Sequence, residues 1–127
     1  MKKKIGFAII LLVASCSSKK NITNNYVLNK DTIDFGKMKF TDTLTEIIYL
    51  KNLSIKDVKI TNVEVACGCT SALLKDSIIN VDDSVPITIR YMPSFAKDSG
   101  AVVKFLTFRT NSTPIFTNLV IKGKVIK

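Results

Sequence analysis

Between Val85 and Tyr91 every second side chain is large and apolar: Val85, Ile87, Ile89 and Tyr91 alternate with Pro86, Thr88 and Arg90. A period of two belongs to an extended strand with one dry and one wet face; a helix would scatter these four side chains around its axis. Pro86 has no N–H to give to a ladder, which predicts that this strand starts there or runs along a sheet edge. Weaker versions of the pattern recur. Ile33 and Phe35 share a face in residues 32–36, which close on Gly36. Residues 46–51 contain the unbroken run Ile47, Ile48, Tyr49, Leu50, the form of a strand buried on both faces. Residues 58–66 are rich in β-branched side chains, but the phase slips from Val58 and Ile60 to Val63 and Val65, predicting a bulge or bend near Asn62. Residues 102–109 and 119–125 complete the set. Turn-forming residues separate these runs at 52–54, 82–84, 94–100 and 111–114, and no window of eleven residues carries a convincing 3.6 period. Six or seven short strands within residues 31–127 predict an all-β, immunoglobulin-like antiparallel β-sandwich, with a small barrel as the alternative.

The other strong pattern lies at the N-terminus. Lys2, Lys3 and Lys4 precede an apolar run from Ile5 to Val13, nine residues long, which suits a secretory signal and is too short to span a bilayer. Val13, Ala14, Ser15 and Cys16 follow, and this string resembles the lipobox of bacterial lipoproteins. The resemblance implies cleavage after residue 15 and acylation of Cys16, so that membrane lipid becomes the first partner. At ~0.8 kcal/mol per buried methylene, several acyl chains hold a protein to a membrane almost permanently. Ser17 stands where an aspartate favours inner-membrane retention in enteric bacteria, which points to the outer membrane, facing the periplasm. Residues 16–30 are polar and Asn-rich and read as a lipidated flexible tether, leaving 1–15 as signal peptide and 31–127 as the folded domain.

This division also explains the charge. The formal net charge is +9, but six of the 19 basic residues precede Asp31 and all ten acidic residues lie from Asp31 onward, so the domain itself carries +3. There is no basic stripe with interleaved aromatics, and nucleic acid is not an expected partner. Histidine is absent, which removes Ser-His and Cys-His nucleophile pairs and His-ligated zinc. Glu46, Glu64 and the aspartates, most of them in turn contexts, show no spacing that argues for an acid–base pair. No catalytic residue and no cofactor is expected.

One short string could carry chemistry: Cys67, Gly68, Cys69, Thr70. With Cys16 lipidated, Cys67 and Cys69 are the remaining thiols. In a regular strand residues i and i+2 point the same way with β-carbons too far apart to bridge, and Gly68 is the residue type able to fold the backbone between them. Chain-entropy arithmetic for so small a ring gives only ~1.5 kcal/mol before strain. Three readings stand open: a structural pair of small buried side chains, a reversible dithiol–disulfide, and a soft metal such as Cu(I) on two thiolates. Met38 and Met92, the other soft donors of the mature chain, fit core filling better than ligation.

The string Ile60, Thr61, Asn62, Val63, Glu64, Val65, Ala66, Cys67, Gly68, Cys69, Thr70 resembles the signature of a bacterial family called domain of unknown function 1573. Asp34, Phe35 and Gly36, then Lys51 and Asn52, then Thr110 and Asn111, and finally residues 119–125 fit the same pattern, so the resemblance covers about residues 32–125. It departs at Val81, Asp82, Asp83 and Ser84, where members commonly carry a Pro-Gly turn. The resemblance implies an immunoglobulin-like domain of the major-sperm-protein type, common among lipoproteins of the Bacteroidetes, and names no reaction. Thr32, Thr43, Ser77 and Ser84 each follow an aspartate and precede an apolar residue, a pattern resembling Bacteroidetes O-glycosylation sites; Asp-Ser and Asp-Thr also favour turns for backbone reasons alone. The function expected is a non-enzymatic binding or scaffold module for a protein or other envelope partner, with residues 93–100 and their Phe95 as a candidate loop. A thiol-redox or Cu(I) protein working through Cys67 and Cys69 is the alternative.

Overall fold

The computed structural model describes Gly6 and residues 24–127. Its elements run in the order β1 (Tyr26–Leu28), β2 (Thr32–Lys39), β3 (Leu44–Asn52), β4 (Val58–Val65), β5 (Thr70–Leu74), β6 (Ile78–Ile79), β7 (Ser84–Tyr91), α1 (Pro93–Ala96), β8 (Gly100–Thr110) and β9 (Phe116–Ile126). Two sheets, ordered β1-β3-β7-β5 and β2-β9-β8-β4-β6, enclose one core and make the expected immunoglobulin-like sandwich. Period-two alternation places that core. Ile48 and Leu50 of β3 and Ile87, Ile89 and Tyr91 of β7 point inward from the first sheet. Val58, Ile60, Leu106, Phe108, Leu119 and Ile121 meet them from the second. Each such burial contributes about 1.5–3 kcal/mol.

Several expectations need correction. Among the described residues the strands number nine, not six or seven, because β1, β5 and β6 are too short to register as periodic runs. The sandwich is not wholly antiparallel: β2 runs parallel to β9, pairing Thr32 with Val120 and Lys39 with Ile126. Residues 26–28, read as part of the tether, form a strand on β3, and Tyr26 is buried with its hydroxyl donating to the Pro114 carbonyl. A single aromatic anchor outweighs the polarity around it. Gly36 does not end β2; it takes a left-handed φ of +64°, shifts the register between Asp34 and Lys37, and lets the strand run on to Lys39. β3 is not buried on both faces, since Ile47 and Tyr49 stand half-exposed on the outer side. β7 starts two residues before Pro86 and lies between β3 and β5. Proline is tolerated because β5 ends opposite Ile87, leaving only β3 beside Pro86.

The slip in β4 is a bulge between Ile60 and Asn62. The extra residue returns Val63 to the inner side, opposite Phe108. In the turn before β7, Asp82 takes φ +61°, the left-handed position that a Pro-Gly turn gives to glycine and that aspartate tolerates better than most residues.

Candidate functional site

Strand register places the Cys67–Cys69 turn, helix α1 and the end of β9 at one end of the sandwich. The described chain begins at the other, where Asn25 donates its N–H to Thr113 and accepts from Leu53. β4 ends at Val65, and residues 66–69 turn the chain from one sheet into the other, where β5 joins β7. Cys67 and Cys69 are joined there as a disulfide, their Cα atoms 5.2 Å apart. Cys69 is buried and its carbonyl accepts from Met92, while Cys67 is half-exposed and its carbonyl accepts from the Thr70 N–H and hydroxyl.

Gly68 has a role that its spacing does not reveal. It does not adopt a left-handed φ. A Cβ placed on it would lie 2.9 Å from Phe95 Cε1, so its need is for close approach of an aromatic ring. Phe95 sits on α1, a single turn that Pro93 starts and that Lys97, at φ +56°, stops. The ring caps no core: 67% of Phe95 is exposed, and it stands over the cysteine turn. Behind it Tyr91 donates its hydroxyl to Asp98 Oδ2 at 2.6 Å, and Asp98 also pairs with Lys104 at 3.2 Å. Burial, reinforced by the Asp98 carboxylate, pushes the Tyr91 hydroxyl far above the ordinary tyrosine range. This network fixes the loop from α1 to β8 onto the sandwich. It supplies a mounting for Phe95 and no nucleophile.

The remaining sequence-derived positions are dispersed. Cys16 lies outside the described residues. Thr43, Ser77 and Ser84 are exposed at three separate turns or strand starts, and Thr32 is half-buried beside Val120 in β2. Met38 packs against the core, and Met92 follows β7. Glu46 pairs with Lys30. Among the described residues no three metal-ligating side chains converge, and no helix is long and apolar enough to cross a membrane.

Sequence reasoning passed over Asn52. It is fully buried, donating through Nδ2 to the carbonyls of Lys56 (2.8 Å) and Ile79 (2.9 Å) and accepting at Oδ1 from the N–H and hydroxyl of Ser54. It ties its own turn, residues 52–56, to β6, which is distant in sequence. A lone polar residue at a strand end gave no hint of this beyond its place in the family pattern.

This arrangement, two sheets of four and five strands with the end loops mounted on a rigid core, is that of the immunoglobulin-like and PapD-like β-sandwiches. Within that class the chain belongs to the family described as protein of unknown function (DUF1573), whose pattern matches residues 26–125. No curated protein matches the chain by sequence. Among solved structures, a protein of unknown function from Porphyromonas gingivalis W83 aligns with a TM-score of 0.70 at 15% identity, over 78% of this chain and 46% of that one. The present chain thus spans less than half the length of that relative. The ASH/PapD-like domain 7 of human CEP192 aligns with a TM-score of 0.67 at 12% identity, over 97% and 99% of the two chains. WR4, a C. elegans MSP family member, gives 0.54 at 8% identity, over 81% and 99%. At such identities the likeness concerns the fold alone.

Proposed function

We propose that this protein is an envelope lipoprotein, anchored by acylated Cys16 in the outer membrane and facing the periplasm, whose sandwich domain binds or scaffolds a protein partner without catalysis. The observation that carries the binding reading is the exposed Phe95 ring seated on the Cys67–Cys69 turn. A large aromatic ring held over a cross-linked turn, on a loop fixed by Asp98, is a pre-ordered apolar contact of the kind that anchors interfaces. It adds nothing to the core, so its exposure has no structural return. In-membrane cross-linking of wild type and Phe95→Ser tests this. A discrete cross-linked species should form with wild type and fail with the variant, at unchanged melting temperature. Equal cross-linking by both refutes the role of Phe95. The anchor is tested separately: a Cys16→Ser chain should escape processing and lose the acyl mass, and normal processing of it refutes lipidation.

One observation favours the thiol reading: Cys67 is half-exposed and bonded to Cys69 across a single residue, a placement that suits thiol exchange better than a fully buried pair would. Alkylation with and without reductant decides it. Rapid modification of both cysteines in the reduced, folded protein supports the redox or Cu(I) role, and failure of both to react removes it.

A further inference from the structure

On the outer face of the larger sheet, Lys37 of β2 lies directly opposite Lys124 of β9, and Lys122 and Lys39 stand one step away on either side. All four are exposed. Like charges facing one another across a ladder destabilise a sheet. One carboxylate answers them in part: Asp34 stands opposite Lys122, though it makes no ion pair there and one of its oxygens accepts the Gly36 N–H; the ion pairs of the described residues are Lys30–Glu46 and Lys104–Asp98. The next strand continues this face with apolar side chains. Val103 lies across from Lys122 and is 55% exposed, and Phe105 lies across from Val120 and is 52% exposed. The outer face therefore combines four exposed ammonium groups against a single facing carboxylate, Asp34, with an exposed aromatic and an exposed aliphatic side chain on one sheet surface.

We propose that this face of β2, β9 and β8 docks on an anionic lipid bilayer, with Lys37, Lys39, Lys122 and Lys124 at the headgroup phosphates and Val103 and Phe105 at the acyl boundary. Long lysine stems reach past such apolar residues to the phosphates, and flanking apolar side chains add burial that charge alone does not supply. The choice of a bilayer over another polyanion rests on the anchor proposed above. Cys16 precedes the first described residue of the domain, Asn24, by eight positions, a reach of at most about 29 Å when fully extended. A sandwich held that close to a bilayer always has one surface within range of it. The face described here carries charge complementary to an anionic bilayer.

The test uses the protein isolated from its own membrane, reconstituted into vesicles of phosphatidylcholine alone or with about one third phosphatidylglycerol. Lysines are acetylated at low reagent dose and quantified residue by residue. Lys37, Lys39, Lys122 and Lys124 should react several-fold more slowly on the anionic vesicles, and 0.5 M salt should restore their rates. Lys51, Lys56 and Lys75, which lie off this face, should react equally on both. A Lys122→Gln/Lys124→Gln variant, altered only at exposed positions, should lose most of the protection of Lys37 and Lys39, since each lysine contributes about fivefold to such binding. Equal labelling on both vesicles overturns the proposal. So does protection by polygalacturonate without protection by vesicles, which would assign the face to an acidic polysaccharide. Failure of the anchor reads out differently: the protein would not float with neutral vesicles, while face protection on added anionic vesicles would still be measurable.

Discussion

Replacing Asn52 by aspartate changes a single group, an NH₂ for an oxygen, in a side chain with no exposure. In the native protein that NH₂ donates to the carbonyls of Lys56 and Ile79, both within 2.9 Å. The aspartate presents an oxygen to both. Two hydrogen bonds are lost at about 1 kcal/mol each, and the buried Ile79 carbonyl, left facing another oxygen, adds about 1–3 kcal/mol, for a total of about 3–5 kcal/mol. Stabilities of such domains run about 5–15 kcal/mol, so the loss is a large share, and Tm should fall by at least about 12 °C at pH 7. The pH dependence has a definite sign. Burial and the two carbonyls raise the carboxyl's folded-state pKa above its unfolded value of ~4, outweighing the Ser54 N–H and hydroxyl that still donate to its other oxygen and favour the charged form. The variant is therefore least impaired below that value, where the protonated carboxyl can still donate one hydrogen bond, and it loses stability as pH rises through the folded-state pKa. Urea unfolding followed by far-ultraviolet circular dichroism at pH 4 and pH 7 measures both effects. A loss below about 1 kcal/mol at pH 7, or no smaller deficit at pH 4, would show that Asn52 does not tie its turn to β6 as described.

Gly123→Ala should destabilise by about 1–3 kcal/mol, because the added methyl would meet the Phe35 ring at 2.3–2.7 Å and that ring is stacked on Tyr91 at 5.7 Å; a melting temperature equal to wild type would refute the contact. Gly68→Ala meets only the far edge of an exposed ring that can swing aside, so it should change stability by less than about 1 kcal/mol while shifting Phe95, visible as altered Phe95 resonances in NMR spectra. Tyr91 has a raised folded-state pKa, so its contribution is complete below the unfolded tyrosine value of ~10 and declines as pH rises beyond it; Tyr91→Phe should show a shallower loss of stability between pH 10 and 11.5, and identical slopes would contradict the burial argument.

Local pattern and global packing divide the account of this protein. Alternation in β7 and the phase slip in β4 were legible because a strand's facing is decided residue by residue: a side chain points to the face opposite its neighbour's, and a slip of one needs a bulge. The same logic singled out Cys67, Gly68 and Cys69, two thiols around the residue with no Cβ, and the apolar run before Cys16. What no local pattern carries is partnership between distant segments. Backbone hydrogen bonds do not depend on side-chain identity, so nothing in residues 32–39 announces a parallel neighbour at 120–126. The closure of the sandwich made that choice. With it came the facing lysines of β2 and β9, the Phe95 ring over Gly68 and the bond from Asn52 to β6.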